Sequence, residues 1–262
     1  MRLDAHVHTS ISDSSMSTQK TLELAKARGL THVAITNHDT VTGLSEAVAL
    51  GNEVGVTVIP GIEISAFLKN KKVHILGYYF SLEAPNIKLI CDDINEARDQ
   101  NTKQQLHRLI EAGYPLTYEA VSQKASASTA FYKQHLTAVL KENGMTRDQI
   151  RPIFKTGGLC DQSITYADAL EAIKAIKADG GIAVLAHPGQ SKVFELVPQF
   201  VEAGLDGIEV YHPDHDEQDV KKAMQLANKY QLIQTTGSDF HAEYGPNRPF
   251  GTLVMTTNPF IK

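Results

Sequence analysis

Short apolar runs and amphipathic stretches follow one another along most of the chain, in the order that strands and helices take in an α/β protein. The opening run, Leu3-Asp-Ala-His-Val-His8, alternates like a strand, so the imidazoles of His6 and His8 leave the same side of its end. Residues 14–18 supply N-cap side chains for a helix through Leu22, Leu24 and Ala25, and Gly29 stops it. A second strand, 32–36, runs into Asn37-His38-Asp39. A helix over 44–50 leads to a strand over 56–59, after which Pro60-Gly61 opens a short apolar segment ending on Glu63. Residues 73–77 read as another strand, with His74 on the opposite face from Val73 and Ile75.

The rhythm changes between 84 and 160. Ile87, Ile90, Ile94 and Ala97, then Leu106, Leu109 and Ile110, keep helical spacing up to Gly113, and two or three shorter helices follow between 117 and 154. These residues read as a helical insertion, a cap domain, in a barrel domain formed by 1–83 and 161–262. No linker rich in glycine, proline or serine separates the two, so the insertion is expected to pack on the barrel. From 164 the first pattern resumes, with helices over 168–178, 193–203 and 217–230 and strands over 182–186, 207–211 and 232–236. Repeated helix-then-strand units favour a right-handed parallel α/β barrel, whose functional residues lie at the C-terminal ends of the strands.

Composition narrows the class. The 262 residues are 42% hydrophobic and 21% charged, which suits a globular protein with a substantial core. No apolar run approaches the ~20 residues that span a bilayer, and the first residues enter a strand without a leader, so a cytoplasmic location is expected and a membrane is not. The two cysteines, Cys91 and Cys160, lack zinc-finger spacing and read as ordinary thiols. A net charge of -5 argues against tight electrostatic binding of long nucleic acid but leaves nucleotides and short oligomers open. No obligate protein partner is evident.

Nearly every core strand ends in a histidine or a carboxylate. The candidates are His6, His8, Asp13, His38, Glu63, His74, His187, Asp239 and His241. A single strand-end histidine is more often a hydrogen-bonding residue than a ligand, but a barrel mouth brings all of these together. Imidazoles and carboxylates without cysteine make a nitrogen and oxygen site suited to Zn, Mn or Fe. One metal takes about four protein ligands, so nine candidates imply two or three divalent ions sharing a carboxylate bridge, for which Glu63 is the choice.

The motifs H-x-H…D, I-T-N-H-D, G-I-E, V-H-I-L-G-Y, A-H-P and G-S-D-F-H, in this order from Arg2 to His241, resemble those of the PHP (polymerase and histidinol phosphatase) family of metal-dependent phosphoesterases. The resemblance is to its small stand-alone bacterial members. It implies a distorted seven-stranded barrel with a helical insertion and a trinuclear site. In that site His6, His8, Glu63 and Asp239 serve one metal, Asp13, His38 and His241 a second, and Glu63, His74 and His187 a third. It also implies hydrolysis of phosphate esters, with Glu63, Asp239 and His187 as the catalytic set around a metal-bridging hydroxide. No serine or cysteine nucleophile is called for, since neither cysteine ends a strand and G-x-S-x-G is absent.

Substrate contacts depart from the pattern. Where similar members carry R-x-x-R and G-R-P-H, this chain has Arg98-Asp-Gln-Asn101 and Tyr132-Lys133-Gln-His135. Arg98, Lys133 and His135 are therefore the expected phosphate contacts, and His212 and His215 join them because they follow a strand end at the same mouth. With Asn101 in place of the second arginine, monoesters are expected over bisphosphates. The leading substrate class is a nucleotide or small phosphorylated metabolite of the nucleoside 5′-monophosphate or 3′,5′-bisphosphate type. The alternatives are a 5′-to-3′ exoribonuclease on short RNA and a cyclic sugar phosphate phosphodiesterase. Less favoured are an amidohydrolase, whose pattern has a bridging lysine in mid-chain, and a non-hydrolytic metal-binding scaffold.

Overall fold

The structure, a computed structural model, describes residues 1–246, 248 and 250–260. Its strands are β1 (Leu3–Val7), β2 (His32–Ile35), β3 (Thr57–Leu68), β4 (Lys71–Tyr78), the short β5 (Ala167–Asp168), β6 (Ile182–Leu185), β7 (Gly207–Tyr211) and β8 (Ile233–Thr236). Seven of them follow one another as β1-β2-β3-β4-β6-β7-β8, and β5 pairs with β3 off this path. The backbone bridge between Val7 and Phe240 brings the two ends of the path together, so the sheet curls into a nearly closed, distorted seven-stranded barrel. Its outer face packs on α1 (Thr18–Ala27), α2 (Leu44–Val54), α7 (Ala169–Ala178), α8 (Pro188–Ser191), α9 (Val197–Glu202) and α10 (Glu217–Tyr230). The caps behave as their residues dictate. Ser17 accepts from Lys20 N at the start of α1, and Asp168 and Asp216 accept backbone N–H groups that open α7 and α10.

Two expectations about the middle of the barrel need correction. Pro60-Gly61 does not end a strand, because β3 continues through it for 12 residues. Up to Pro60 it pairs in parallel with β2, and from Gly61 it pairs antiparallel with β4. Proline, with no N–H to donate, suits a point where a strand changes partner. Gly61 is there for close approach, since a Cβ would stand 2.8 Å from Thr36 Cγ2 and 3.0 Å from Ile35 O. The second correction is the direction of β4, which runs antiparallel to both β3 and β6. A two-residue turn, Lys69-Asn70, joins β3 to β4 with φ of 50° and 61°, the left-handed pair typical of a type I′ hairpin. Its register sets Ser65 opposite His74 and Glu63 opposite Leu76.

The apolar residues divide into three clusters. One lies between the sheet and its helices, and a smaller one, including Leu3, Ile59, Leu76 and Tyr78, gathers residues from β1, β3 and β4. The third belongs to the segment between α3 (Pro85–Glu111) and residue 160, which also holds α4 (Tyr118–Lys124), α5 (Lys133–Glu142) and α6 (Arg147–Ile150). Helix α3 joins two of them: Ile87, Cys91 and Ile94 enter the barrel core, while Leu106 and Leu109 enter the third cluster.

Gly61→Ala is expected to overpack the β2–β3 seam against backbone that cannot retreat, lowering stability by about 1–3 kcal/mol. Urea unfolding followed by circular dichroism should show the midpoint fall with an unchanged slope.

Candidate metal centre

The site is built around one carboxylate. Glu63, buried on β3, has Oε1 at 2.7 Å from His74 Nδ1 and 2.9 Å from His187 Nε2. Its Oε2 lies 3.2 Å from His6 Nε2, 3.1 Å from His8 Nε2 and 3.3 Å from His38 Nδ1. Asp239 Oδ1 closes the first group, at 3.6 Å from His6 Nε2 and 3.3 Å from His8 Nε2. Asp13 closes a second, with Oδ1 3.3 Å from His241 Nε2 and 3.7 Å from His8 Nδ1, and Oδ2 4.0 Å from His38 Nε2. His74 reaches the mouth because β4 runs antiparallel, so that the first half of this strand, not its end, faces the centre.

Glu63 Oε1 makes hydrogen bonds with His74 and His187, but the contacts of its other oxygen are not hydrogen bonds. His6 Nε2, both ring nitrogens of His8, His38 Nδ1 and Glu63 Oε2 are buried without a hydrogen-bond partner. His6 Nδ1 faces Glu209 Oε1 at 3.1 Å and donates to it, which leaves Nε2 with a lone pair directed at carboxylate oxygens. Buried lone pairs facing one another are costly unless a cation lies between them. In a tetrahedral site with ligand bonds of ~2.0–2.2 Å, neighbouring donor atoms lie about 3.3–3.6 Å apart, and the separations here cluster around that spacing. The donors fall into three sets able to hold a metal ion: His6, His8, Glu63 and Asp239; His8, Asp13, His38 and His241; and His38, Glu63 and His74. His187 meets the third set through the oxygen of Glu63 that it shares with His74.

The electrostatics fit a site built for cations. Burial opposes ionisation of Glu63, yet the imidazoles of His38, His74 and His6 hold its carboxyl well below the usual range. Burial opposes that of Asp239 too, and His6 and His241 hold it low. Burial alone would lower His241, but Asp13 and Asp239 raise it to about 9. Two of the residues involved sit in the left-handed region of the backbone, His187 at φ 25° and Asp239 at φ 49°, a cost that non-glycine residues bear where a site dictates the path.

A supporting layer escapes simple motif reading. Glu209, buried on β7, holds His6 through one oxygen and accepts the backbone N–H of His187 through the other at 2.9 Å. Burial works against its charge, but His6 keeps its carboxyl down to about 2. The available signal was a lone acid inside the apolar strand Gly207–Tyr211. Arg248 pairs with Asp239 and with Asp214. Asp4 accepts the N–H of Ser238 at 2.9 Å, and burial pushes its carboxyl up to about 6.

The expected substrate contacts divide. Lys133 lines both cavities at the mouth. Arg98 lines one of them, but its Nη2 is committed to Asp39 Oδ2 at 2.5 Å and Ser65 Oγ at 3.1 Å, and its guanidinium lies 4.7 Å over the Tyr132 ring. His135 is elsewhere: buried, it accepts the Tyr132 N–H at 3.1 Å and caps α5, and neither mouth cavity is lined by it. His212 accepts the Asp214 N–H on Nδ1, and its Nε2 lies 3.3 Å from Asp239 Oδ2 and 2.9 Å from Arg248 Nη1, so both ring nitrogens are already engaged. His215 donates from Nδ1 to Val210 O at 2.9 Å and accepts the Gly189 N–H at 3.1 Å, which leaves neither nitrogen for a ligand. In this structure the rings of His135 and His215 hold backbone groups, and neither is carried forward as a substrate contact.

The chain is similar to several known proteins. A family model described as PHP domain matches residues 4–184. A phosphoribosyl 1,2-cyclic phosphate 1,2-diphosphodiesterase of Eggerthella lenta is 45% identical over 248 residues, covering 92% of this chain and 95% of its own. A 3′,5′-nucleoside bisphosphate phosphatase of Chromobacterium violaceum is 28% identical over 261 residues, covering 95% of this chain and 90% of its own. A solved structure from Bifidobacterium adolescentis, provisionally assigned as a metal-dependent phosphoesterase, superposes with a TM-score of 0.89 at 26% identity and covers 96% of this chain and 91% of that one. No helix among the described residues is long and apolar enough to cross a membrane.

Returning Mn or Zn to chelator-stripped protein is expected to raise unfolding free energy by about 2.7 kcal/mol at a hundredfold excess over the dissociation constant. Glu63→Gln should remove most of that gain. Arg98→Ala should instead lower the metal-free baseline by about 3 kcal/mol, because it leaves Asp39 buried without its partner, and keep the gain. Urea titrations with and without metal separate the two effects.

Proposed function

The chain belongs to the PHP domain family of metal-dependent phosphoesterases, and from that membership we propose that it hydrolyses a cyclic phosphodiester of a phosphorylated sugar. The observation that carries the choice of ester is the 45% identity with the Eggerthella lenta diphosphodiesterase over nearly the whole of both chains. This identity supports the cyclic sugar phosphate over the nucleoside monophosphate or bisphosphate. A bisphosphate remains the second reading, favoured by the more distant phosphatase from Chromobacterium violaceum.

Two or three divalent ions, of Zn, Mn or Fe, are the cofactors that this donor set suits. When bound, they would acidify an attacking water, hold the phosphoryl oxygens and offset charge on the leaving oxygen. The chain's own residues prepare that chemistry. Glu63 bridges the sets, with one oxygen toward His6, His8 and His38 and the other toward His74 and His187. Asp239 is held from behind by His212 and Arg248, and His6 by Glu209, so that their free atoms stay aimed at the centre. In the overall step the water oxygen bonds to phosphorus, one ester P–O bond breaks, and the released sugar oxygen takes up a proton. Lys133 lies on the wall where the phosphorylated substrate enters, and residues 84–160 serve as the cap that narrows this approach.

A panel of esters assayed with metal-loaded protein tests the reading. Turnover of a ribose 1,2-cyclic phosphate should exceed that of nucleoside monophosphates, 3′,5′-bisphosphates and short RNA. Glu63→Gln and Asp239→Asn should each lower kcat/KM by roughly two orders of magnitude or more, as loss of metal support does. Preference for short RNA, or wild-type turnover by either variant, would overturn it.

A further inference from the structure

Between the start of β4 and the cap lies a cavity of about 200 Å³ whose wall includes Asp13 and His38, two members of the metal-binding sets. A ligand on the metals therefore has a direct path into it. The wall also carries Lys72, Arg98, Asn101 and Lys133. Arg98 is already neutralised by Asp39. Lys72 and Lys133 are not: among the described residues neither has a carboxylate within ion-pair distance, and their ammonium groups rest instead on aromatic rings, 4.8 Å over Tyr166 and 5.7 Å over Phe154.

Two unneutralised cations on one small wall repel each other and draw in an anion. Desolvation and then the charge of Lys72 lower Lys133 below the ordinary lysine value, as expected of a cation that lacks a counter-ion. A dianion matches two lysines, where a carboxylate would match one.

We infer that Lys72, with Lys133, forms the specificity site for a second phosphate of the substrate, one that is not cleaved. Lys72 thereby replaces, from the barrel side, the arginine that Asn101 lacks on the cap. This reverses the expectation, drawn from Asn101 alone, that the enzyme prefers singly phosphorylated esters. The inference rests on the proposed phosphoesterase activity and assigns residues to the terminal phosphate of its phosphorylated-sugar substrate, remote from the scissile one.

The test compares metal-loaded wild type with Lys72→Gln on ribose 1,2-cyclic phosphate with and without a 5-phosphate. Lys72 is exposed, and matching thermal unfolding curves would show that the variant keeps its fold. Its kcat/KM should fall roughly 10- to 100-fold for the 5-phosphorylated ester, the scale of one charge-assisted contact, and stay within about twofold for the other. An equal fall for both esters would mean that Lys72 acts on the metal centre, and no fall for either would mean that it is idle; each overturns the inference while the activity stands. Calorimetric binding of ribose 5-phosphate, which has no cyclic ester, reads the site without turnover. Binding at least several-fold weaker in Lys72→Gln sustains the site even if the wild type cleaves neither ester, and unchanged binding overturns it.

Discussion

A single buried carboxylate organises this molecule. Glu63 meets five imidazoles from β1 and the residue just beyond it, from the loop after β2, from β4 and from the loop after β6, and no hydrogen-bonding pattern satisfies them all. In a protein interior such a group of lone pairs is tolerated only if positive charge is supplied. The barrel can therefore be seen as the means of holding mutually repulsive donors in place, with the helices outside it providing the apolar burial that offsets the cost.

Much of this was legible in the sequence, for reasons that differ from residue to residue. His6 and His8 were readable because strand alternation fixes their side, and Asp239 and His241 because they follow a strand end directly. Glu63 and His74 were found as residues but not as geometry, since nothing local says that β3 passes through Pro60-Gly61 or that β4 turns back. Glu209 was missed because it lies inside an apolar run and serves His6 from behind. His135 and His215 show the opposite failure: they lie near the motifs in sequence, yet their ring nitrogens are taken by backbone groups, which only coordinates reveal.

The helical segment 84–160 is tied to the centre more closely than its separate apolar cluster suggests. Arg98, on α3, reaches Asp39 and Ser65, and Asp39 in turn accepts the backbone N–H of Ser65 at 2.6 Å. Tyr132 adds a bond from its hydroxyl to His38 O at 3.0 Å. The loop that carries His38 is thus held from the helical segment as well as from the barrel, so a shift of that segment would be felt at the candidate metal ligands.

The Lys69-Asn70 turn has a role out of proportion to its size. Side chains alternate along a strand, so the length of this turn decides which residues of β4 look into the mouth, as a gauge block sets a machine tool. One extra residue there would carry His74 to the helix-covered face and deliver Val73 or Ile75 in its place. Drift in the length of this hairpin would therefore erase a ligand without touching any motif, and a chain with every signature residue intact could still be silent.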